Sequence, residues 1–397
     1  MHSYARSYLP ELQSYQHELL QRLEMLVNVD SGSGQTEGIN LIISYLDRWL
    51  SDSGFDVTLY PSGLFGNNLV ARRQGKGRMR LLLIGHVDTV YTQGAAAIQP
   101  FHIRDGIASG PGVIDMKSGV LMGIHVLQAI METGFEEYGE LIVVFNNDEE
   151  VGSTGSAPLL RQLAQQVDAA LVLEPSRSIE SVTRARKGAD KYIMDVLGVP
   201  AHSGAEPNRG RSAVIELAHK MIAVHNLNSM FPGVTFNVTR ITSSEQLNVV
   251  PDAARCHISV RAFNEHGLNM AAAALEQIAA GCSIPGTQTH LTRTRGRVPY
   301  EATPQSTRLV EIAQEEARGL GFELVAESKG GVSDANLLME MGIPTLDSLG
   351  PVGGGMHDLK REYLRVDSIP VRGALLAGLI HRLCLAESTG ENHVHEQ

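Results

Sequence analysis

The chain has 397 residues, 43% of them apolar, and a formal net charge of −11. That length accommodates two domains with substantial cores, and the composition is that of a globular protein. The acidic balance argues against a general nucleic-acid binder but not against a local basic pocket.

The three cysteines, Cys256, Cys282 and Cys384, are far apart and include no C-x-x-C pair. A disulfide framework or thiolate metal site is therefore not expected, and a reducing, cytoplasmic setting is. The opening M-H-S-Y-A-R-S-Y-L-P lacks the apolar core of a signal peptide. No stretch reads as long and apolar enough to cross a bilayer, so no membrane association is expected.

Helical spacing is predicted over 9–27 and 38–54, the second with Leu41, Ile42, Tyr45, Leu46 and Leu50 on one face. Two strand-like segments, D-V-T-L-Y and N-L-V-A-R-R, lead to the apolar run R-L-L-L-I-G-H-V-D (80–88). S-G-V-L-M-G-I-H-V-L-Q-A-I-M reads as a mostly apolar helix with Ser118 as its N-cap. Apolar runs return in L-I-V-V-F-N-N-D-E-E (141–150) and A-L-V-L-E-P (170–175). Strand–helix–strand alternation with continuous apolar strands predicts a mostly parallel sheet covered on both faces.

Near residue 177 the pattern changes. A strand at 191–199, an amphipathic helix from S-A-V-I-E-L, strands at 235–242 and 254–263, a helix at 268–280 and a strand near 287–294 follow. That β-α-β-β-α-β order predicts a small α+β domain. A helix at 304–320, another starting at Asp334, the strand-like I-P-T-L-D-S-L-G, a loop with His357 and a closing helix then restore the α/β pattern. The expected fold is an α/β catalytic domain (1–176 and 294–397) interrupted by an α+β domain (177–293). No internal repeat or low-complexity tract is present.

His86, Asp88, Asp115, Glu149, Glu150, Glu174 and His357 sit where these apolar runs give way to loops. In an open α/β sheet such strand ends share one crevice. Several carboxylates meeting there repel unless a cation holds them. The nitrogen and oxygen donor set, with no thiolate, suits zinc or a similar divalent metal, as a pair. His86 and Asp88, two apart on an extended strand, point to one face, and a carboxylate there can fix an imidazole tautomer. Asp115 lies in the turn-rich G-P-G-V-I-D, and P-V-G-G-G-M-H puts His357 on a Gly-rich loop free to swing onto a metal. Singly, each residue also reads as an ordinary strand-end, turn or surface group; the joint pattern carries the inference.

In order, H-V-D (86–88), G-V-I-D-M-K-S-G (112–119), D-E-E-V-G-S (148–153), L-E-P (173–175), P-A-H-S-G (200–204), G-G-V-S-D-A-N (330–336) and G-G-M-H (354–357) resemble a known family. It is the zinc exopeptidase family typified by carboxypeptidase G, which includes acetylornithine deacetylase and succinyl-diaminopimelate desuccinylase. The resemblance runs from about residue 80 to 360. It implies two zinc ions per subunit, with cobalt or manganese as possible substitutes. Asp115 would bridge them, His86 and Glu174 completing one shell, Glu150 and His357 the other. Asp88 would orient His86, Glu149 would act as general base, and a cis peptide would follow Asp115.

The resemblance further implies a homodimer in which His202, from the partner's small domain, stabilises charge on the scissile carbonyl. Asn248 and Arg261 match positions that bind a substrate's terminal carboxylate, a task suited to the guanidinium fork. Gly331 and Ser333, in K-G-G-V-S-D-A-N, would lie against substrate, with Ser333 also able to cap the next helix. Lys187 and Lys191, in K-G-A-D-K-Y, read as solvated surface lysines, with a contact to an acidic substrate as the alternative. Glu rather than Asp at 174 looks like the carboxypeptidase and deacylase branch. The expected activity is a glutamate carboxypeptidase-like dizinc hydrolase acting on a small molecule or short peptide with a free carboxylate. An N-acyl amino acid deacylase and a non-catalytic metal-binding scaffold are the alternatives.

Overall fold

The computed structural model describes residues 3–389. The outer ends of the expected catalytic domain, residues 1–2 and 390–397, lie outside the described residues. The chain divides into two compact units. The first comprises Met1–Arg184, Ala302–Ser328 and Ser333–Gln397; the second comprises Ala185–Glu301 and Lys329–Val332. The changeovers fall at 184/185 and 301/302, where composition suggests 176/177 and 293/294. The strand Ser181–Arg186 begins in the first unit, where Thr183 pairs with Asp347, so packing changes later than residue character does.

The first unit is built on a six-stranded sheet. Its strands include β1 (Asp56–Pro61), β2 (Asn67–Gln74), β3 (Arg80–His86), β4 (Glu140–Asn146) and β5 (Ala169–Val172), with Thr345–Leu346 at one edge. Spatial order is β1-β2-β4-β3-β5 and then the edge strand. β4, β3, β5 and the edge strand run parallel, while β2 pairs antiparallel with β1 and β4. Every residue of β4 and β5 is buried, as is β3 after Arg80, the signature of a sheet covered on both faces. Register aligns His86 with Asn146 and Ile84 with Val172, so the chain leaves three adjacent parallel strands at one rim of the sheet.

Three local expectations are revised. The helix expected over 9–27 is two helices, Tyr4–Ser14 and Gln16–Val27. The break at Tyr15 carries its hydroxyl to Glu132 and its ring against His125. Ser118 is not an N-cap: the wide, irregular turn Val113–Lys117 already leads into the helix Ser118–Glu132, and the buried Ser118 hydroxyl finds no partner among the described residues. Finally, Val113–Glu132 and Ser368–Ala386 are by length and composition apolar enough to cross a membrane. They are 94% and 72% buried inside the protein, so their apolarity is that of core helices.

Two buried ionisable groups mark this core. Arg372, in the closing helix Ser368–Thr389, is fully buried and bonds backbone carbonyls: Gly350 (3.1 Å), Ile179 (2.9 Å), Ser181 (3.1 Å) and Ser348 (2.5 Å). His125 is 1% exposed and holds the Leu121 carbonyl through Nδ1 (2.9 Å), while its Nε2 finds no partner among the described residues. Burial pulls its pKa down to about 4. A depressed pKa stabilises the fold above the unfolded value near 6.5 and is lost as pH falls toward the folded one. Unfolding of the metal-free protein should therefore lose about 3 kcal/mol from this group between those limits. His125→Leu should flatten that slope; denaturation curves with equal acid-side slopes would refute it.

The second unit has the predicted β-α-β-β-α-β order. Strands β6 (Gly188–Leu197), β7 (Thr235–Ser243), β8 (Ala253–Ala262) and β9 (Gln288–Arg295) form an antiparallel sheet in the order β7-β8-β6-β9. The helices Ala213–Met230 and Glu265–Ala280 supply Leu217, Val224, Leu268 and Leu275 to its own core. Ser212 and Asn264 cap their N-termini.

Candidate metal centre

The rim of the first unit's sheet gathers the predicted ligands. His86 is the last residue of β3, the turn Glu149–Val151 follows β4, and Glu174 follows β5. Asp115 comes from irregular backbone, with φ −116 and ψ 92 and a cis peptide to Met116, where the resemblance placed one. His357 has a left-handed φ of 66. Its loop is less free than its glycines suggest. Gly353–Gly354 pairs with Tyr363–Arg365, and a Cβ on Gly353 would lie 2.1 Å from the Tyr363 carbonyl oxygen. The glycines allow close packing of a fixed hairpin rather than a swing.

The side chains meet in two sets that share Asp115. His86 Nε2 is 3.2 Å from Asp115 Oδ1 and 3.6 Å from Glu174 Oε1. His357 Nε2 is 3.5 Å from Asp115 Oδ2 and 3.3 Å from Glu150 Oε2. Each oxygen of one carboxylate thus faces a different imidazole. Donors 2.0–2.2 Å from a common tetrahedral ion lie about 3.3–3.6 Å from one another. Direct charge-assisted hydrogen bonds are shorter, about 2.7–2.9 Å. The spacing therefore fits two cations, one in each set. His86 is buried, whereas the His357 side chain is 56% exposed, so the His357 side is open to solvent.

The electrostatics agree. Burial disfavours charge on His86, but Asp115, Asp88 and Glu174 outweigh it and raise the ring's pKa well above the ordinary value. Asp115 and Glu150 raise His357 to about 10. Burial opposes ionisation of Asp115, yet His357 and His86 hold its carboxyl well below the usual range. Glu149 is pushed well up, chiefly by burial, against the pull of His86 and with Asp334, Glu174 and Glu150 adding to the rise. Glu149 also groups with His86 and Glu174, their ligand atoms within 4.8 Å of one another.

Asp88 acts differently from the simplest reading of H-V-D. The near partner of His86 Nδ1 is the Asp88 backbone carbonyl at 3.0 Å, with the carboxylate at 3.4 Å. That carboxylate accepts the amides of Glu149 (3.1 Å) and Glu150 (3.2 Å) and the Ser33 hydroxyl (2.7 Å). It therefore fixes the turn that aims both glutamates. Ser333 is fully buried; its hydroxyl caps Ala335 (3.1 Å) and reaches Asp347 (2.8 Å).

The other candidates belong to the second unit. The His202 and Asn248 segments pair: His202 bridges Val249, and the Ser203 amide donates to the Asn248 carbonyl at 2.9 Å. Two amides, of Gly204 (3.2 Å) and Ala205 (3.1 Å), point at His202 Nδ1. The neutral ring must then carry its hydrogen on Nε2, as a donor. Arg261 donates to the Gly330 carbonyl (3.0 Å), and the Gly331 carbonyl accepts from Arg186 (3.1 Å). Lys191 is exposed as expected, but Lys187 is only 8% exposed. It lies 3.5 Å from the Thr235 hydroxyl and 5.2 Å from the Phe263 ring centroid, its pKa lowered by burial and then by Arg261. Sequence reasoning also passed over Tyr91 and Glu362, which bond each other (2.6 Å). Nothing in a single chain distinguishes them from surface residues.

Residues 82–382 match the model of Peptidase family M20/M25/M40. The chain is 33% identical over 369 residues to Carboxypeptidase G2 of Pseudomonas sp. (strain RS-16), covering 92% of this chain and 89% of that one. It is 28% identical over 362 residues to acetylornithine deacetylase of Salmonella arizonae, covering 86% and 91%. The fold matches the YXEP protein of Bacillus subtilis, described as a dinuclear metal binding peptidase, with a TM-score of 0.72 at 16% identity over 94% of this chain and 99% of that one. This chain belongs to the M20/M25/M40 peptidase family, and it is a hydrolase of the metallopeptidase type.

Proposed function

We propose that the protein is a dizinc carboxypeptidase that cleaves an amide next to a free α-carboxylate and favours a glutamate-like C-terminal residue. The observation that carries the metal chemistry is the division of Asp115 between two imidazoles, each with a further carboxylate. His86, Asp115 and Glu174 would hold one ion, and Asp115, Glu150 and His357 the other. When bound, the paired cations polarise the scissile carbonyl and lower the pKa of the attacking water. Glu149, its amide fixed by Asp88, takes that water's proton and passes it to the leaving amine. His202 donates from Nε2 to the carbonyl oxygen as charge develops.

The likeness to Carboxypeptidase G2 and the cationic pair Lys187 and Arg261 support an acidic substrate. Arg261 and Asn248 would read the α-carboxylate, and Lys187 a second one. A panel of N-acylglutamates, dipeptides and N-acetylornithine tests this. Preference for N-acetylornithine would favour the deacylase alternative, which the likeness to acetylornithine deacetylase keeps open. Elemental analysis identifies the metal: zinc is expected at two equivalents, and cobalt or manganese would revise the ion alone.

We also propose a homodimer in which His202 serves the partner's centre. His202→Ala is expected to lower kcat by about 10²–10³-fold, the usual cost of one such donor. Mixing it with an Asp115→Ala subunit should restore activity, because one mixed site then has both an intact centre and an intact His202. Mixed dimers without restored activity would rule out the shared site.

A further inference from the structure

The hairpin that carries His357 also carries a carboxylate with no role so far. Glu362 is 1% exposed. Its Oε1 accepts the amides of Ile114 (3.0 Å) and Asp115 (3.2 Å). Its Oε2 accepts the amide of Gly112 (3.0 Å) and the Tyr91 hydroxyl (2.6 Å). Three of these four donors come from the one segment that presents Asp115. That segment is irregular: Gly112 has a φ of 71, and Asp115 and Met116 depart from helical angles. Buried amides there have no regular ladder to satisfy them, and Glu362 supplies acceptors instead.

Glu362 is tied as firmly to the His357 loop. Its own amide donates to the Asp358 carbonyl at 2.9 Å. Gly355, at φ 72, packs so closely that a Cβ there would lie 2.0 Å from the Arg361 carbonyl oxygen. By contrast, His86 ends a strand and Glu174 follows one, so sheet pairing holds them. Asp115 instead sits on irregular backbone, and His357 on the hairpin between Gly353–Gly354 and Tyr363–Arg365 that also carries Glu362.

We infer that Glu362 is a positioning residue that clamps the Asp115 segment and the His357 loop together, fixing the Asp115–Glu150–His357 half of the metal centre. This rests on the metallohydrolase reading above. Gln at 362 keeps the shape but turns amide hydrogens toward backbone donors.

The test is titration of the metal-free protein with zinc against a competing chelator, repeated with Co(II) to follow its visible spectrum. Wild-type protein should take two ions. Glu362→Gln should lose about 10–100-fold in affinity for the second ion, the usual cost of removing such a support, and less for the first, which shares Asp115 but whose His86 and Glu174 are held at strand ends. Its second-ion cobalt bands should shift, and kcat should fall with little change in KM. Tyr91→Phe removes one donor of four and should weaken the second ion less, which keeps the test open should Glu362→Gln fail to fold. Glu316→Gln is the structural control: its buried carboxylate bonds Ala5, Ser3 and Arg382. It should lower the melting temperature and leave both titration steps unmoved. Wild-type second-ion affinity in the Glu362→Gln protein, or an equal loss in the Glu316→Gln protein, overturns the inference. Wild-type protein that takes up no ions overturns the reading beneath it.

Discussion

Glu149→Gln is expected to lower kcat about 10²–10⁴-fold while the protein keeps both metal equivalents and a KM close to wild type. That range is the usual contribution of a positioned proton acceptor, and an unchanged KM follows when the lost interaction belongs to the transition state alone. The amide keeps the shape of the side chain, and the backbone bond from Glu149 to Asp88 is untouched. The metal assay decides the outcome because Glu149 also groups with His86 and Glu174. If the glutamine protein loses an ion together with its activity, Glu149 is a ligand and the proton must leave by another route.

Asp115→Ala should be more severe. In the proposed centre both ion positions depend on this one carboxylate, whose oxygens face His86 and His357 separately. Its removal leaves His86 with Glu174 and His357 with Glu150, two protein donors per ion, where catalytic zinc ordinarily has three. Metal content should fall below one equivalent. Losing several kcal/mol of transition-state stabilisation should cost at least about 10³-fold in kcat/KM. Circular dichroism should remain that of the folded chain, since β3, β4 and β5 do not rely on the side chain. A variant that binds two ions at wild-type affinity would show that Asp115 bridges nothing.

The sheet and its rim could be read from the chain because strand ends leave a local mark. Apolar runs that stop at His86, at Glu149 and Glu150, and at Glu174 announce both the buried strands and the groups they deliver. Partnerships between distant segments leave none. Glu362 meets Gly112 across 250 positions, and no spacing rule links them. Lys187 looked like surface because charge suggests solvent, yet Thr235 and Phe263 cover it. Ser118 had the chemistry of a cap, but the turn before it was invisible. The glycines around His357 signalled special backbone; whether that meant freedom or close packing depended on Tyr363 and Arg361.

Arg372 sets an order of events for the nascent chain. The carbonyls of Ile179, Ser181, Ser348 and Gly350 have its guanidinium as partner, and that residue is synthesised after all four. Until the ribosome releases the closing helix, this edge of the first unit remains unfinished, however early the central strands have paired. The helix Ser368–Thr389 must emerge before the unit can seal.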